Sequence, residues 1–167
     1  MLLCLDVHYE DRGATTACVG FSTWSDADSA LELVVRSRSL PAPYEPGQFY
    51  KRELPHLLGA LDRLPKGTKV EAVVVDGHVW LATNQPGLGG RLYEALDRRV
   101  PVVGVAKSPF LGGDAVPILR GTSRHPLFVT AAGINPGQAA EYIRSMHGVH
   151  RLPTLLKRAD RLARGDH

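Results

Sequence analysis

Acidic residues stand at two positions in this sequence where a charge is costly. Asp6 interrupts an apolar segment near the N terminus, and Asp76 ends the apolar run 73–75. In open α/β sheets, ligands collect at the carboxyl ends of strands, and Asp76 is expected at such an end. Carboxylates that converged there would lose hydration and repel one another. A divalent metal ion would relieve both costs.

Two further acids share a face of a predicted helix with apolar side chains. Glu53 lies on the same helical face as Leu57, and Asp160 lies on the side of Leu156 and Ala163. Hard oxygen ligands of this kind favour Mg²⁺ or Mn²⁺ over Zn²⁺. Each acid taken alone is also typical of a turn, a cap or the rim of a helix. The residues by themselves therefore leave open a metal site and an ordinary polar surface.

The pattern of apolar residues predicts the elements that must position these acids. Alternating residues predict three strands over 2–9, 14–22 and 31–39, and the short links between them predict an antiparallel meander. Helices and buried strands then alternate. The predicted helices cover 49–64, 87–98, 135–146 and 152–164, and the predicted strands cover 69–78, 100–106, 115–120 and 126–131. This order predicts an α/β fold with a mixed sheet and flanking helices, in one domain over 1–167.

Three local signals refine this prediction. Asn135 is expected to cap a helix whose first residue is Pro136. Pro55 is expected in the first turn of its helix, or at a kink. Cys4 and Cys18, in a chain for which we expect no export signal, predict free thiols in a reducing compartment such as the cytoplasm.

Composition excludes several classes of protein. The chain has 167 residues, of which 44% are hydrophobic and 22% charged, as in ordinary soluble globular proteins. Its charge-free stretches are too short to span a bilayer, so no membrane partner is expected. The net charge of +3 lies in 151–167, which carries five basic and two acidic residues. That segment either follows the phosphates of a nucleic acid or forms a solubilising helix face.

Short motifs occur in a fixed order along the chain. They are Leu5-Asp6-Val7, Pro43-Tyr44-Glu45-Pro46-Gly47, Arg52-Glu53-Leu54-Pro55, Val75-Asp76-Gly77-His78 and Gly104-Val105-Ala106-Lys107-Ser108, followed by His125-Pro126-Leu127-Phe128-Val129, Arg151-Leu152-Pro153 and Arg158-Ala159-Asp160. Together they resemble endonuclease V, a family of inosine-directed nucleases with an RNase H-like fold. The resemblance runs from Asp6 to about Arg161.

The resemblance implies roles for individual residues. Those implied for metal binding and catalysis are Asp6, Glu53 and Asp76 as metal ligands, Asp160 beside the same metal, and Lys107 near the scissile phosphate. Those implied for substrate binding are Tyr44, Pro46 and Gly47 in a wedge loop, and Gly47, Gly77 and Gly104 at the base pocket, while His78 belongs either to that pocket or to a surface loop. The implied cofactor is Mg²⁺, with Mn²⁺ as a substitute. The implied reaction cleaves DNA or RNA near inosine, in repair or processing, and leaves 3′-hydroxyl and 5′-phosphate ends.

The sequence departs from the family pattern at two places. The family usually follows the Asp-Gly motif with Gly-x-Ala-His-Pro-Arg, whereas residues 79–84 read Val-Trp-Leu-Ala-Thr-Asn. Glu45 replaces an aliphatic residue of the wedge. Two other functions therefore stay open: a relative that binds nucleic acid without cutting it, and a nuclease on the same scaffold with a different target.

Overall fold

A seven-stranded sheet organises the chain. The structure is a computed structural model, and it describes residues 1–10, 13–38, 50–110 and 113–166. In these ranges the elements follow one another as β1 (Leu2–Glu10), β2 (Gly13–Phe21), β3 (Leu31–Ser37), α1 (Tyr50–Leu61), β4 (Ala72–Asp76), β5 (Trp80–Ala82), β6 (Gln85–Pro86), α2 (Leu88–Ala95), β7 (Val102–Ala106), β8 (Val116–Ile118), β9 (Leu127–Ala132), α3 (Pro136–Ser145) and α4 (Thr154–Ala163).

The sheet is mixed, as the sequence predicts. Its strand order is β3-β2-β1-β4-β7-β9-β8. Strands β1, β2 and β3 form the predicted antiparallel meander. Strand β4 pairs with both β1 and β7 in parallel, and β9 returns antiparallel to β7. The carboxyl ends of β1, β4 and β7 therefore meet at one edge of the sheet.

Helices cover both faces of this sheet, so that it has a core on each side. Cys4 of β1 packs on the face covered by α3 and α4, together with Leu156. Cys18 of β2 packs on the face covered by α1 and α2, together with Leu57. Both thiols are buried and free. Burial on two faces is what permits the continuous apolar run in β4.

Local backbone signals set the ends of two helices. Asn135 caps α3 as predicted, because its side chain accepts hydrogen bonds from the two backbone N–H groups of Gly137 and Gln138. Helix α2 is shorter than predicted, because Asp97 and Arg98 adopt φ angles of 55° and 59°, which end a right-handed helix.

Helix α1 ends three residues before the predicted boundary. Pro55 lies inside it, beyond its first turn. Among the described residues, no helix combines the length and the apolar composition that crossing a membrane requires.

A small hairpin, β5–β6, was not part of the predicted pattern. Its turn uses Asn84 at a φ angle of 60°. The indole Nε1 of Trp80 donates a hydrogen bond to the carbonyl oxygen of Ala131, 2.9 Å away, which ties the hairpin to β9. The hairpin replaces a loop in the sequence prediction and forms a wall beside the end of β4.

Arg120 is a buried cation that organises the connection between α3 and α4. Its side chain is 4% exposed. The guanidinium donates to five backbone carbonyl oxygens, those of Arg144, Met146, Gly148, His150 and Arg151. Within the described part of the chain, Arg120 forms no ion pair, so the carbonyl dipoles compensate its charge.

Candidate functional site

Parallel pairing brings two acids together at one edge of the sheet. Leu5 of β1 pairs with Val75 of β4, so the next residue on each strand is acidic: Asp6 and Asp76. Glu53 reaches this edge from α1, on one face of the sheet, and Asp160 from α4, on the opposite face. The four predicted carboxylates therefore come from two neighbouring strands and from one helix on each side.

Burial and mutual repulsion raise the pKa values of two of these acids. Burial raises the pKa of Asp6 to about 7, and the charges of Asp76 and Asp160 add to this effect. Burial likewise raises the pKa of Glu53 to about 8, with further contributions from Asp6 and Asp76. Asp6 therefore lies within electrostatic reach of the other three carboxylates.

The other two acids have basic partners. Lys107 Nζ lies 3.5 Å from a carboxylate oxygen of Asp76, and both side chains are about half exposed. Arg164 Nε lies 2.8 Å from Asp160 Oδ1. Arg164 also opposes the rise in the pKa of Asp6. The protein thus supplies its own cations to the acids that face solvent.

The backbone of Lys107 is held by a second arginine. Arg151 donates from the same guanidinium nitrogen to the carbonyl oxygens of Lys107, at 2.5 Å, and Pro126, at 2.6 Å. These bonds join the end of β7 to the segment before α4. They fix the point from which the Lys107 side chain extends towards Asp76.

The donor chemistry of the four carboxylates fits a divalent cation. All donors are hard oxygens, and a positive ion among them would reverse the repulsion that raises the pKa values of Asp6 and Glu53. In the arrangement described, Asp76 pairs with Lys107, and Asp160 pairs with Arg164. No three His, Cys, Asp or Glu side chains of the described ranges form a cation-binding group in that arrangement.

A cavity of about 320 Å³ opens directly beside Asp76. Its wall includes Gly77, His78 and Leu81, with Gln85 of the hairpin and Phe110 opposite. His78 Nε2 lies 3.0 Å from the carbonyl oxygen of Ser108. The cavity is mostly apolar with a few polar groups, a combination typical of sites that bind small molecules.

Two of the glycines predicted at the base pocket, Gly77 and Gly104, differ in their position relative to the cavity. Gly77 lines the cavity with a φ angle of 126°, which favours glycine. Gly104 lies behind it and does not line the cavity. A Cβ atom at Gly104 would come within 2.5 Å of the Gly77 carbonyl oxygen and 2.8 Å of Thr130 Oγ1. Gly104 therefore allows the segment after β4 to approach β7 closely.

The predicted wedge residues, Tyr44, Pro46 and Gly47, lie outside the described residues, as does Glu45.

Sequence reasoning missed several side chains at this edge. Arg164 follows Asp160 by four residues, a spacing at which ion pairs form on helices, so the sequence did carry its signal. Arg151 stood in one of the family motifs, but no role was assigned to it. Gln85 and Phe110 had no comparable local signal, because contacts between distant segments bring each of them to the site.

The comparisons with known proteins agree on one family. The family model for Endonuclease V matches residues 1–161. Endonuclease V of Rhodospirillum centenum is 34% identical over an alignment of 159 positions. That alignment covers 80% of this chain and 63% of that protein. The chain thus spans less than two thirds of that relative's length. Endonuclease V of Xylella fastidiosa is 31% identical over an alignment of 189 positions. That alignment covers 98% of this chain and 75% of the relative.

Solved structures agree in fold. Endonuclease V of Ciona intestinalis, in complex with a 24mer DNA containing an inosine followed by a ribo-adenosine, superposes with a TM-score of 0.82. The match covers 99% of this chain and 84% of that one, at 18% identity. The mixed sheet with its meander and flanking helices is therefore the RNase H-like fold of endonuclease V, as the sequence predicts.

Proposed function

The chain belongs to the endonuclease V family, and from this premise we propose that residues 1–167 form one metal-dependent endonuclease domain that hydrolyses a phosphodiester bond near inosine in DNA or RNA. The observation that carries this proposal is the convergence of Glu53, Asp76 and Asp160 on Asp6. Asp76 pairs with Lys107 and also lines a cavity. The family implies a divalent metal ion. We propose Mg²⁺, with Mn²⁺ as a substitute, because the donor set is all carboxylate oxygen.

The proposed catalytic roles are those that the family resemblance implies, and burial and charge at the site support them. Asp6, Glu53 and Asp76 hold the metal, and Asp160 assists from α4. When bound, the divalent ion supplies an activated water and neutralises the charge that develops at phosphorus. Lys107 contacts the phosphate, since its ammonium group is half exposed and needs only to leave Asp76. Arg151 holds the backbone of Lys107, so the side chain that carries this ammonium group extends from a fixed point.

The cavity beside Asp76 is proposed to receive the modified base. An enzyme that reads a base must take it out of the stack and enclose it. Gly77 and His78 line the cavity, while Gly104 acts from behind by letting Gly77 approach β7. The proposed wedge, which enters the nucleic acid beside the modified base, consists of Tyr44, Pro46 and Gly47. The DNA in the complex of the Ciona relative contains an inosine, which supports this substrate class.

Both free thiols support a cytoplasmic location as part of this proposal. The substituted segment 79–84 forms the hairpin, which lacks the family's usual histidine and arginine. This change is the observation that favours the second candidate, a relative that holds nucleic acid without cutting it.

The experiment compares the wild-type protein with Asp76→Asn. End-labelled single strands, with and without one inosine, are incubated with Mg²⁺ or Mn²⁺ at matched salt. We expect cutting next to inosine by the wild type, and none by the variant, because the variant loses an anionic metal ligand. Asp62→Asn, an exposed acid in the loop after α1, is the matched control and should cut as the wild type does.

Circular dichroism melting shows whether Asp76→Asn has folded. Undiminished cutting by this variant would overturn the assignment of the site. Equal cutting of the strands with and without inosine would favour instead a nuclease on the same scaffold with a different target. Tight metal binding without cutting of any strand would favour the non-cleaving relative.

A further inference from the structure

A second cavity lies on the outward side of α4, away from the carboxylates. It measures about 210 Å³, and its wall consists of His150, Leu152, Thr154, Lys157, Arg158 and Arg161. Two of these side chains, Lys157 and Arg161, are basic, lie on α4 and are exposed. We call these two residues the α4 basic face. Glu32 and Asp160, two acids that contact or belong to α4, are already paired with Arg158 and Arg164.

The basic residues of the C-terminal segment divide into two groups. Arg158 forms two hydrogen bonds with the carboxylate of Glu32, and Arg164 pairs with Asp160. Arg151 binds two backbone carbonyls. By contrast, Lys157 and Arg161 form no ion pair with any described residue. The fold uses three of the five cations internally and leaves two turned outward.

The two unpaired cations lie close together. Lys157 and Arg161 are four residues apart on one side of α4, a spacing at which like charges repel one another. Both side chains are exposed. An anion bound between α4 and residues 150–152 would be attracted to both of them.

Two elements connect the wall of this cavity to the candidate active site. Residue 151, between two residues of the cavity wall, donates to the backbone of Lys107. Helix α4 carries the basic face on its outward side and Asp160 on the flank towards Asp6. Arg151 thus places a positive charge between Lys107 and the α4 basic face.

We infer that the α4 basic face binds backbone phosphates of the substrate strand, beyond the bond that is cut. This inference rests on the proposed function. The contacts are to phosphate and not to bases, so they add affinity without sequence preference.

The test measures how strand binding depends on salt. Fluorescence anisotropy gives the affinity of the full chain for a labelled single strand, without divalent ions, over about 50–200 mM salt. For the double variant Lys157→Gln, Arg161→Gln, we expect a log-affinity against log-salt slope that is less steep by about 1.4, since each lost phosphate contact on a single strand contributes about 0.7.

Two other double variants make the result specific. Lys66→Gln, Arg99→Gln removes two exposed cations from the loops that precede β4 and β7, at the opposite edge of the sheet, and should keep the wild-type slope. Lys157→Arg, Arg161→Lys keeps both charges on α4 and should also keep it. Melting curves confirm that each variant is folded.

The outcomes separate this inference from the proposed function. A wild-type slope in the Lys157→Gln, Arg161→Gln variant would overturn the α4 basic face while leaving the nuclease proposal intact. An equal loss in the variant at the opposite edge would overturn it as well, since the effect would then reflect net charge alone. A wild-type protein that binds no strand would contradict the proposed function itself.

Discussion

The four carboxylates of the site fall into two pairs that the protein treats differently. The inner pair, Asp6 and Glu53, is largely removed from solvent, and its pKa values rise to about 7 and about 8. The outer pair, Asp76 and Asp160, is 42% and 36% exposed and is paired with Lys107 and Arg164. Protons thus compensate the inner pair in the metal-free protein, whereas basic side chains compensate the outer pair.

This difference explains how acids can converge without unfolding the sheet edge. Uncompensated charges at the inner positions would each cost several kcal/mol through lost hydration. The outer positions remain in water, where an ion pair contributes little but holds each side chain in a defined orientation. A divalent ion would replace protons at the inner pair and compete with cations at the outer pair.

The largest expected effect comes from removing the cation of Lys107, which pairs with Asp76 of the outer pair. Lys107→Met should lower the cleavage rate by about 10²–10³-fold, because a charge aimed at the reacting phosphate is lost. Single-turnover cleavage of an inosine strand measures this effect. Lys66→Met, on the loop that leads into β4, should retain the wild-type rate. A rate within a factor of about three of the wild type would contradict the role proposed for Lys107.

The next effect concerns the inner pair and stability. The folded pKa values of Asp6 and Glu53 lie above the unfolded values near 4, so the folded state binds more protons between about pH 4 and pH 8. Stability from these groups is therefore present at low pH and is lost as the pH rises through the folded pKa values. With a chelator, Asp6→Asn and Glu53→Gln should each raise the melting temperature at about pH 8 by about 3–6 °C.

The same variants should show little gain at about pH 5, where the wild-type carboxyls keep their protons. Asp76→Asn is the matched outer variant, and it should gain less at either pH because its carboxylate is solvated and paired. Adding Mn²⁺ should stabilise the wild type but not the inner variants. Equal gains at both pH values would show that the inner pair is not strained by charge.

The smallest expected effect concerns the outer pair at Asp160. Arg164→Gln removes an exposed ion pair between residues four apart on a helix, which contributes about 0.3–0.5 kcal/mol. Denaturant unfolding should show a loss of this size in low salt and almost none in high salt. A loss that persists in high salt would indicate that Arg164 acts mainly on the inner pair, through Asp6.

The sequence predicted the parts of the fold that depend on local patterns. Alternation in 2–9 and 14–22 was sufficient for the meander, and Asn135 with Pro136 was sufficient for the start of α3. The hairpin β5–β6 could not be predicted in this way, because its segment has no alternation and its anchor is the bond from Trp80 to Ala131. The early end of α2 depends on backbone angles at Asp97 that a charged residue does not signal.

The site was less accessible to sequence reasoning than the fold. Position in or after an apolar run pointed to Asp6 and Asp76, and helical spacing pointed to Glu53 and Asp160. Lys107 was singled out only through the family resemblance. The interactions of these residues depend on parallel pairing between distant strands, which no local pattern encodes. The division into inner and outer pairs depends on burial and on partners such as Lys107. Both of these emerge only when the helices close over the sheet.

Arg120 has a consequence for how the connection between α3 and α4 can vary. All five of its acceptors are main-chain carbonyls, which every amino acid carries. The side chains of residues 144–151 are therefore interchangeable as far as this arginine is concerned, while the number of residues is not. An inserted or deleted residue would shift the carbonyls out of reach and displace Arg151 from Lys107. We expect substitutions to be tolerated at exposed positions of this connection, such as Val149, and changes of length to be selected against.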